Sequence, residues 1–214
     1  MTEDKLDIGT EFGRGWKLFN PNMGVLIVAA LIGLVLTLVT CGVLGGPMTA
    51  GLLLIVRKLQ QNDAVKPQPG DIFKGFDYFL QSFLFFLLFI LASFVVYAVI
   101  RWIPVIGGLG SFAFSLFSGA FVMWGMMFIV YEKMTAIDAF KKLIQGVSSG
   151  AFIMPLVFGL LVSLLNSAGG LVCGIGAIFT YPLGCCCMAS AYETLFGGAP
   201  ATVTEATPTS DAQR

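Results

Sequence analysis

The sequence predicts an all-α integral membrane protein: six transmembrane helices arranged as three hairpins, with short interfacial amphipathic helices between them. Three observations lead there. Hydrophobic residues make up 57% of the 214 and charged residues only 11%, where soluble chains carry roughly a quarter, and mean hydropathy is +0.90. The charges are confined to short stretches between long uncharged runs. When the chain is threaded six times, eleven of its twelve Lys and Arg residues fall on one side, leaving only Arg101 on the other. Such one-sidedness marks the cytoplasmic face.

Residues 1–22 read as a cytoplasmic N-terminal segment with an interfacial helix. Phe12, Trp16 and Phe19 recur at spacings of four and three, with Glu11, Arg14 and Lys17 between them, the pattern of a helix lying on a membrane surface. Asn20-Pro-Asn22 is expected to break or cap it. The acidic-leaning start lacks the basic region and cleavage site of a secretory signal, so the first span is expected to stay in the mature chain.

Residues 23–197 form the six-helix membrane domain. Met23 to Val56 holds 34 residues without a charge. As one helix they would extend about 51 Å, against a hydrocarbon core of roughly 30 Å. A normal helix over about 23–41 and a short one over about 47–61 fit better, with Gly42, Gly45 and Gly46 as the turn and Pro47 opening the return. A single crossing would also place Lys5, Arg14 and Lys17 with Arg101, giving four charges against eight and losing the bias.

Asp71 to Phe76 reads as a short interfacial helix with Asp71 as N-cap. Tyr78 to Ile100, charge-free and rich in Phe, is the third span, ended by the anchor Arg101-Trp102 and Pro104. The fourth covers about 109–131. There Ser111, Ser115 and Gly119 stand four apart, the small-residue pattern that lets helix backbones approach. Thr135 to Ile144 is a second amphipathic connector. Leu143 to Tyr192 is again uncharged and long enough for two spans, joined at Asn166-Ser-Ala-Gly-Gly170, with Gly170 and Gly174 spaced for close contact. Residues 198–214 are a disordered cytoplasmic tail, polar and without apolar payload. Asp71-Ile-Phe-Lys and Asp138-Ala-Phe-Lys suggest a weak threefold repeat of interfacial helix plus hairpin.

Several function classes lose support. Lys+Arg and Asp+Glu balance at 12 each, so no field calls for nucleic acid. With no histidine and five cysteines, neither a metal site nor a cofactor is expected. Consecutive Cys185, Cys186 and Cys187 point about 100° apart on a helix and cannot converge on one ion. They read as buried small apolar residues, with palmitoylation or redox use as the alternative. No ionisable residue sits in the cores of the later spans, as a proton- or ion-coupled transporter would need. Asn166, the one strongly polar side chain of the last two spans, is expected to cap a helix or bond between helices. Pro47, Pro155 and Pro182 interrupt three spans and read as kinks for packing, with a site built from freed backbone groups as the alternative.

Gly46-Pro-Met-Thr-Ala-Gly51, Asp71-Ile-Phe-Lys-Gly-Phe76 and Ala136-Ile-Asp-Ala-Phe140 resemble a broad group of uncharacterised prokaryotic six-span integral membrane proteins. These are similar to the membrane domain fused to some glycerophosphodiester phosphodiesterases. The likeness covers roughly residues 12–197. It implies a prokaryotic inner (cytoplasmic) membrane location, and no catalytic residue comes with it because the soluble phosphodiesterase domain is not in this sequence. Both termini are expected in the cytoplasm.

The first functional expectation is a non-enzymatic scaffold or modulator of membrane partners or lipids, working through its amphipathic connectors. Its partners are the bilayer and a membrane protein or second copy of the chain. The alternative is a small transporter or exporter of an apolar or amphiphilic solute. A wide cavity lined by Ser163, Asn166 and broken helices favours the alternative; a filled core with Ser111, Ser115 and Gly119 buried between helices favours the scaffold. A third reading, a lipid-acting enzyme, requires Asp77, Glu132 and Glu193 to cluster.

Overall fold

The computed structural model describes residues 7–61, 66–101, 107–150, 152–171 and 175–197. The tail 198–214, Trp102, Pro104, Cys173 and Gly174 lie outside these residues. Among the described residues the chain is all-helical, without strands.

Helix α1 (Ile8–Phe19) starts at Asp7, which accepts from the Thr10 hydroxyl at 2.6 Å and the Gly9 amide at 3.1 Å. Those bonds hold the Asp7 carboxyl below its ordinary value, as expected when the charged form is the better acceptor. A 3-10 turn (Asn20–Asn22) leads straight into α2 (Met23–Val39). Asn20 caps α1, as one of the two expected outcomes has it, but the chain is not broken there, and residues 8–39 form one helical run. Pro21 sits in the first turn of the 3-10 segment, where a missing N–H costs little, and Asn22 Nδ2 donates to the Leu18 carbonyl.

The chain reverses over residues 40–44, where Cys41 (φ 50°) and Gly42 (φ 91°) are left-handed. Helix α3 (Gly45–Gln60) then begins. Gly45, Gly46 and Pro47 are thus its first turn and the reversal lies just before them. A 3-10 helix (Pro69–Tyr78) runs beside α3 and continues into α4 (Phe79–Arg101). Its N-cap is Gln68, not Asp71: Pro69 fits the first helical position, and Asp71 at the third reaches back to the Gln68 amide at 3.2 Å. Helix α5 (Gly107–Tyr131) returns along α4, and α6 (Ala136–Ser148), capped by Thr135, turns under the bundle. Gly150, at φ 74°, closes that turn. Helices α7 (Ile153–Leu171) and α8 (Ile175–Phe196) complete the fold.

The expected turn at residues 166–170 is helical instead. In a bilayer a helix satisfies every backbone group internally, and its glycines are used for contact: a Cβ at Gly169 would collide with Thr180 of α8. The three connectors also differ. Two run straight into the following helix, while α6 is separated from α7 by a turn.

Among the described residues, four helical runs are long and apolar enough to cross a bilayer: Ile8–Val39, Pro69–Ala98, Gly110–Tyr131 and Ile153–Gly170. Helix α3 is not among them: at 16 residues, it extends about 24 Å, short of the roughly 30 Å core. Helix α8 is 22 residues long and free of charge from Ile175 to Tyr192. Both are interior elements. Ten residues of α3 are buried, as is α8 from Gly184 through Tyr192. The apolar exposure is greatest on α2 and α4, where Leu38, Val39, Leu91 and Phe94 are bare, and continues on α7 at Ile153, Val157, Leu161 and Leu164; α8 contributes Phe179 near its start. Helices that need not face lipid are free to be short or polar. The core is fixed by aromatics: Trp124 stacks edge-on against Phe152 and Phe196, and its Nε1 donates to the Pro155 carbonyl at 2.8 Å.

Candidate functional site

A cavity of about 620 Å³ lies within the bundle between α2, α3, α5, α7 and α8. That is the usual size of a ligand pocket, about 300–1,000 Å³. Its α3 wall is set by small residues. Gly33 of α2 lets Met48 approach, and Thr49 back-bonds to the Gly45 carbonyl at 2.8 Å. The Tyr181 hydroxyl of α8 meets Thr49 Oγ1 at 2.7 Å, joining the two interior helices across the cavity wall.

Helix α7 supplies the polar face. Ser163, Asn166 and Ser167 all line the cavity, and their i, i+3, i+4 spacing puts them on one side of the helix. Across from them on α5 are Ser115, Ser118 and Gly119. A Cβ on Gly119 would stand 2.8 Å from Ser163 Oγ, so the glycine gives that hydroxyl its room. Thr37 and Ser118 spend their hydroxyls on the Gly33 and Ser115 carbonyls. Asn166 differs, because its Oδ1 is buried without a hydrogen-bond partner. It neither caps a helix nor bonds between helices, since α7 continues beyond it and the facing residue of α8 is Gly184. A Cβ there would come within 3.0 Å of Oδ1.

Of the three prolines expected to interrupt spans, only Pro182 is inside a helix. Pro47 and Pro155 occupy first turns, where no intrahelical donor is lost. Pro182 withholds the N–H that Ile178, four residues earlier, would accept, and Ile178 lines the cavity. None of the described residues lining the cavity carries a charge. Leu34 and Ser115, both exposed, stand at its rim.

The remaining sequence candidates take other places. Gly46 packs on Ser82 and Phe86 of α4, with 3.0 Å left for a Cβ. Gly45 faces Thr37 across the reversal. Gly170 faces open space, while its neighbour Gly169 makes the close contact. Ser111 lies near the start of α5 and is half-buried. Glu132 pairs with Lys142 at 2.7 Å and accepts from the Tyr192 hydroxyl at 2.9 Å. Asp77 is exposed on the 3-10 helix, and Glu193 neighbours Glu11. Cys185, Cys186 and Cys187 are buried free thiols.

A second polar centre escaped the sequence reading. Glu11 of α1, 1% exposed, accepts from Arg14 Nη1 at 2.9 Å, Thr194 Oγ1 at 2.8 Å and Ser190 Oγ at 2.5 Å. Beside it, Gly15 sits directly on the Cys187 backbone. One turn of α1 is thereby docked to α8. The amphipathic spacing of α1 was visible, but nothing in it separates a helix on the membrane from one packed on its own bundle.

Comparison with family models, with curated proteins and with solved structures gives no match for this chain.

Proposed function

We propose that the protein is a six-span membrane protein, both termini cytoplasmic, that takes an apolar or amphiphilic solute from the bilayer into its central cavity and carries it. The setting we propose is a prokaryotic inner membrane, as the resemblance to six-span proteins implies. The cavity lined by Ser163 and Asn166 carries this reading. It weighs toward the transporter expectation and away from the scaffold one. The connectors point the same way: Glu11, Gly15 and Phe19 of α1 and Ala136, Ala139 and Leu143 of α6 are buried against the chain's own helices, so those faces are not spare contact surface. Six crossings are supported by the charge split, with α3 and α8 as the two interior spans.

Two measurements test this. Cys41 is exposed in the reversal before α3, so on a Cys173→Ser background, which removes the thiol between α7 and α8 on the same side, a membrane-impermeant maleimide labels Cys41 on intact cells, and a further Cys41→Ser abolishes the label. Labelling only after permeabilisation overturns the topology. Protein purified in mild detergent carries an extractable apolar or amphiphilic molecule, identified by mass spectrometry. Filling the cavity with Ala177→Phe lowers its occupancy about tenfold, equivalent to about 1.4 kcal/mol. Equal occupancy in a monodisperse variant overturns the carrier reading.

A further inference from the structure

Resting on that reading of the cavity, we infer the class of its ligand: an uncharged amphiphile whose head carries a hydroxyl group, seated against Asn166 of α7.

Charge excludes first. The described lining contains no acid and no base, so a carboxylate, phosphate or ammonium head would leave water without a counter-charge. An unpaired buried charge is the costliest group to bring out of water. A pure hydrocarbon fits the apolar walls, formed by residues such as Leu34, Met48, Leu52, Val122 and Ile178, but leaves the polar face of α7 unused.

That polar face is built to be used. Most hydroxyls around the cavity are spent inside the chain: Thr37 on Gly33, Ser118 on Ser115, and Thr49 on Gly45 and Tyr181. Asn166 Oδ1 is buried and unpartnered, which costs free energy until something donates to it. It lies against Gly184 of α8, which brings no side-chain donor to it. The terminal torsion of an Asn side chain is soft, so a small turn of the amide brings its oxygen to a head group in the cavity. A hydroxyl suits that place because it donates to Oδ1 and accepts from Ser163 or Ser167, one turn or one residue away on the same face. An ether or ester head, which only accepts, meets half of this arrangement.

The experiment uses the full-length protein in detergent with four probes of equal chain length: tritiated 1-dodecanol bound directly, and dodecyl methyl ether, dodecanoate and dodecylammonium as competitors. Dodecanol is expected to bind, the ether to compete about fivefold more weakly, and the two ions more weakly still. Asn166→Leu is expected to reduce dodecanol affinity about fivefold and leave that of the ether unchanged, while Asn166→Gln, which keeps the amide, retains the preference for the alcohol. Alcohol and ether binding alike, or Asn166→Leu weakening both equally, overturns the assignment of Asn166 while the carrier reading stands. Tighter binding of either ion overturns the uncharged class. If no dodecyl probe binds protein that is monodisperse, the ligand assignment and the carrier reading fall together.

Discussion

Gly51→Ala is expected to destabilise the protein by about 3 kcal/mol, at the upper end of overpacking costs. It should lower the melting temperature in detergent by about 6–12 °C for a chain of this size. Gly51 of α3 lies flat against the backbone of Ile72 in the 3-10 helix, and Gly75 of that helix lies against Pro47 and Gly51 in turn. A Cβ at position 51 would overlap the Ile72 carbonyl and stand 2.9 Å from its Cα. Backbone cannot rotate away as a side chain does, so the two helices must separate. Ile72, 1% exposed, would leave its seat, and Asp71 would be drawn from Lys58, now 3.2 Å away. The control is Gly24→Ala in α2, where nothing lies within 4 Å; there the better helix propensity of Ala stabilises by about 0.5–1 kcal/mol. Thermal unfolding followed by fluorescence size exclusion compares the two. Equal melting temperatures would show that the contact between the glycines carries no weight.

Glu11→Ala is expected to free α1 from α8. The carboxylate is the acceptor for three donors, and bonds to a charged group contribute about 1.5–3 kcal/mol each before non-additivity. Arg14 is 39% exposed and recovers its solvation in water, so the net loss is nearer 3 kcal/mol than the sum. Ser190, only 7% exposed, does not recover. Because Gly15 covers Cys187, the readout is direct: alkylation of Cys187, measured by peptide mass spectrometry, accelerates about tenfold or more in Glu11→Ala, while Cys41 labelling stays constant. Glu11→Gln keeps the shape and accelerates it less. A combined Glu11→Ala, Ser190→Ala variant should fall short of the sum of the single losses, since both remove the same bond. Unchanged Cys187 reactivity would mean that α1 is held by its apolar stripe alone.

The two predictions probe what was hardest to foresee. Residues 23–56, 78–100, 109–131 and 143–192 were recognisable as bilayer segments because an uncharged stretch of that length has few other stable homes. Even the shortness of α3 was legible, since the charges at Arg57 and Lys58 stop it. The reversal was placed close to its true position: of the three glycines expected to form it, Gly42 takes the left-handed conformation, while Gly45 and Gly46 open the returning helix. The error at residues 166–170 has the same root. In water a Ser-Ala-Gly-Gly run marks a turn, whereas between packed membrane helices it marks close approach.

The cavity was legible only as a possibility. Ser163, Asn166 and Ser167 share a helical face by spacing alone, but whether that face meets a partner, lipid or empty space depends on which helix stands opposite. The same holds for Glu11, whose donors Ser190 and Thr194 come from the far end of the chain.

Composition, run length and charge placement, then, determined that this is an all-helical membrane protein and where its helices lie, because the cost of putting charge or unsatisfied backbone in hydrocarbon acts locally along the chain. Only the tertiary structure decided which helices are interior, which glycines are contacts, and that Asn166 is left without a partner beside a cavity. Those are pairwise facts between segments far apart in sequence, set by shape complementarity rather than by any property of one segment.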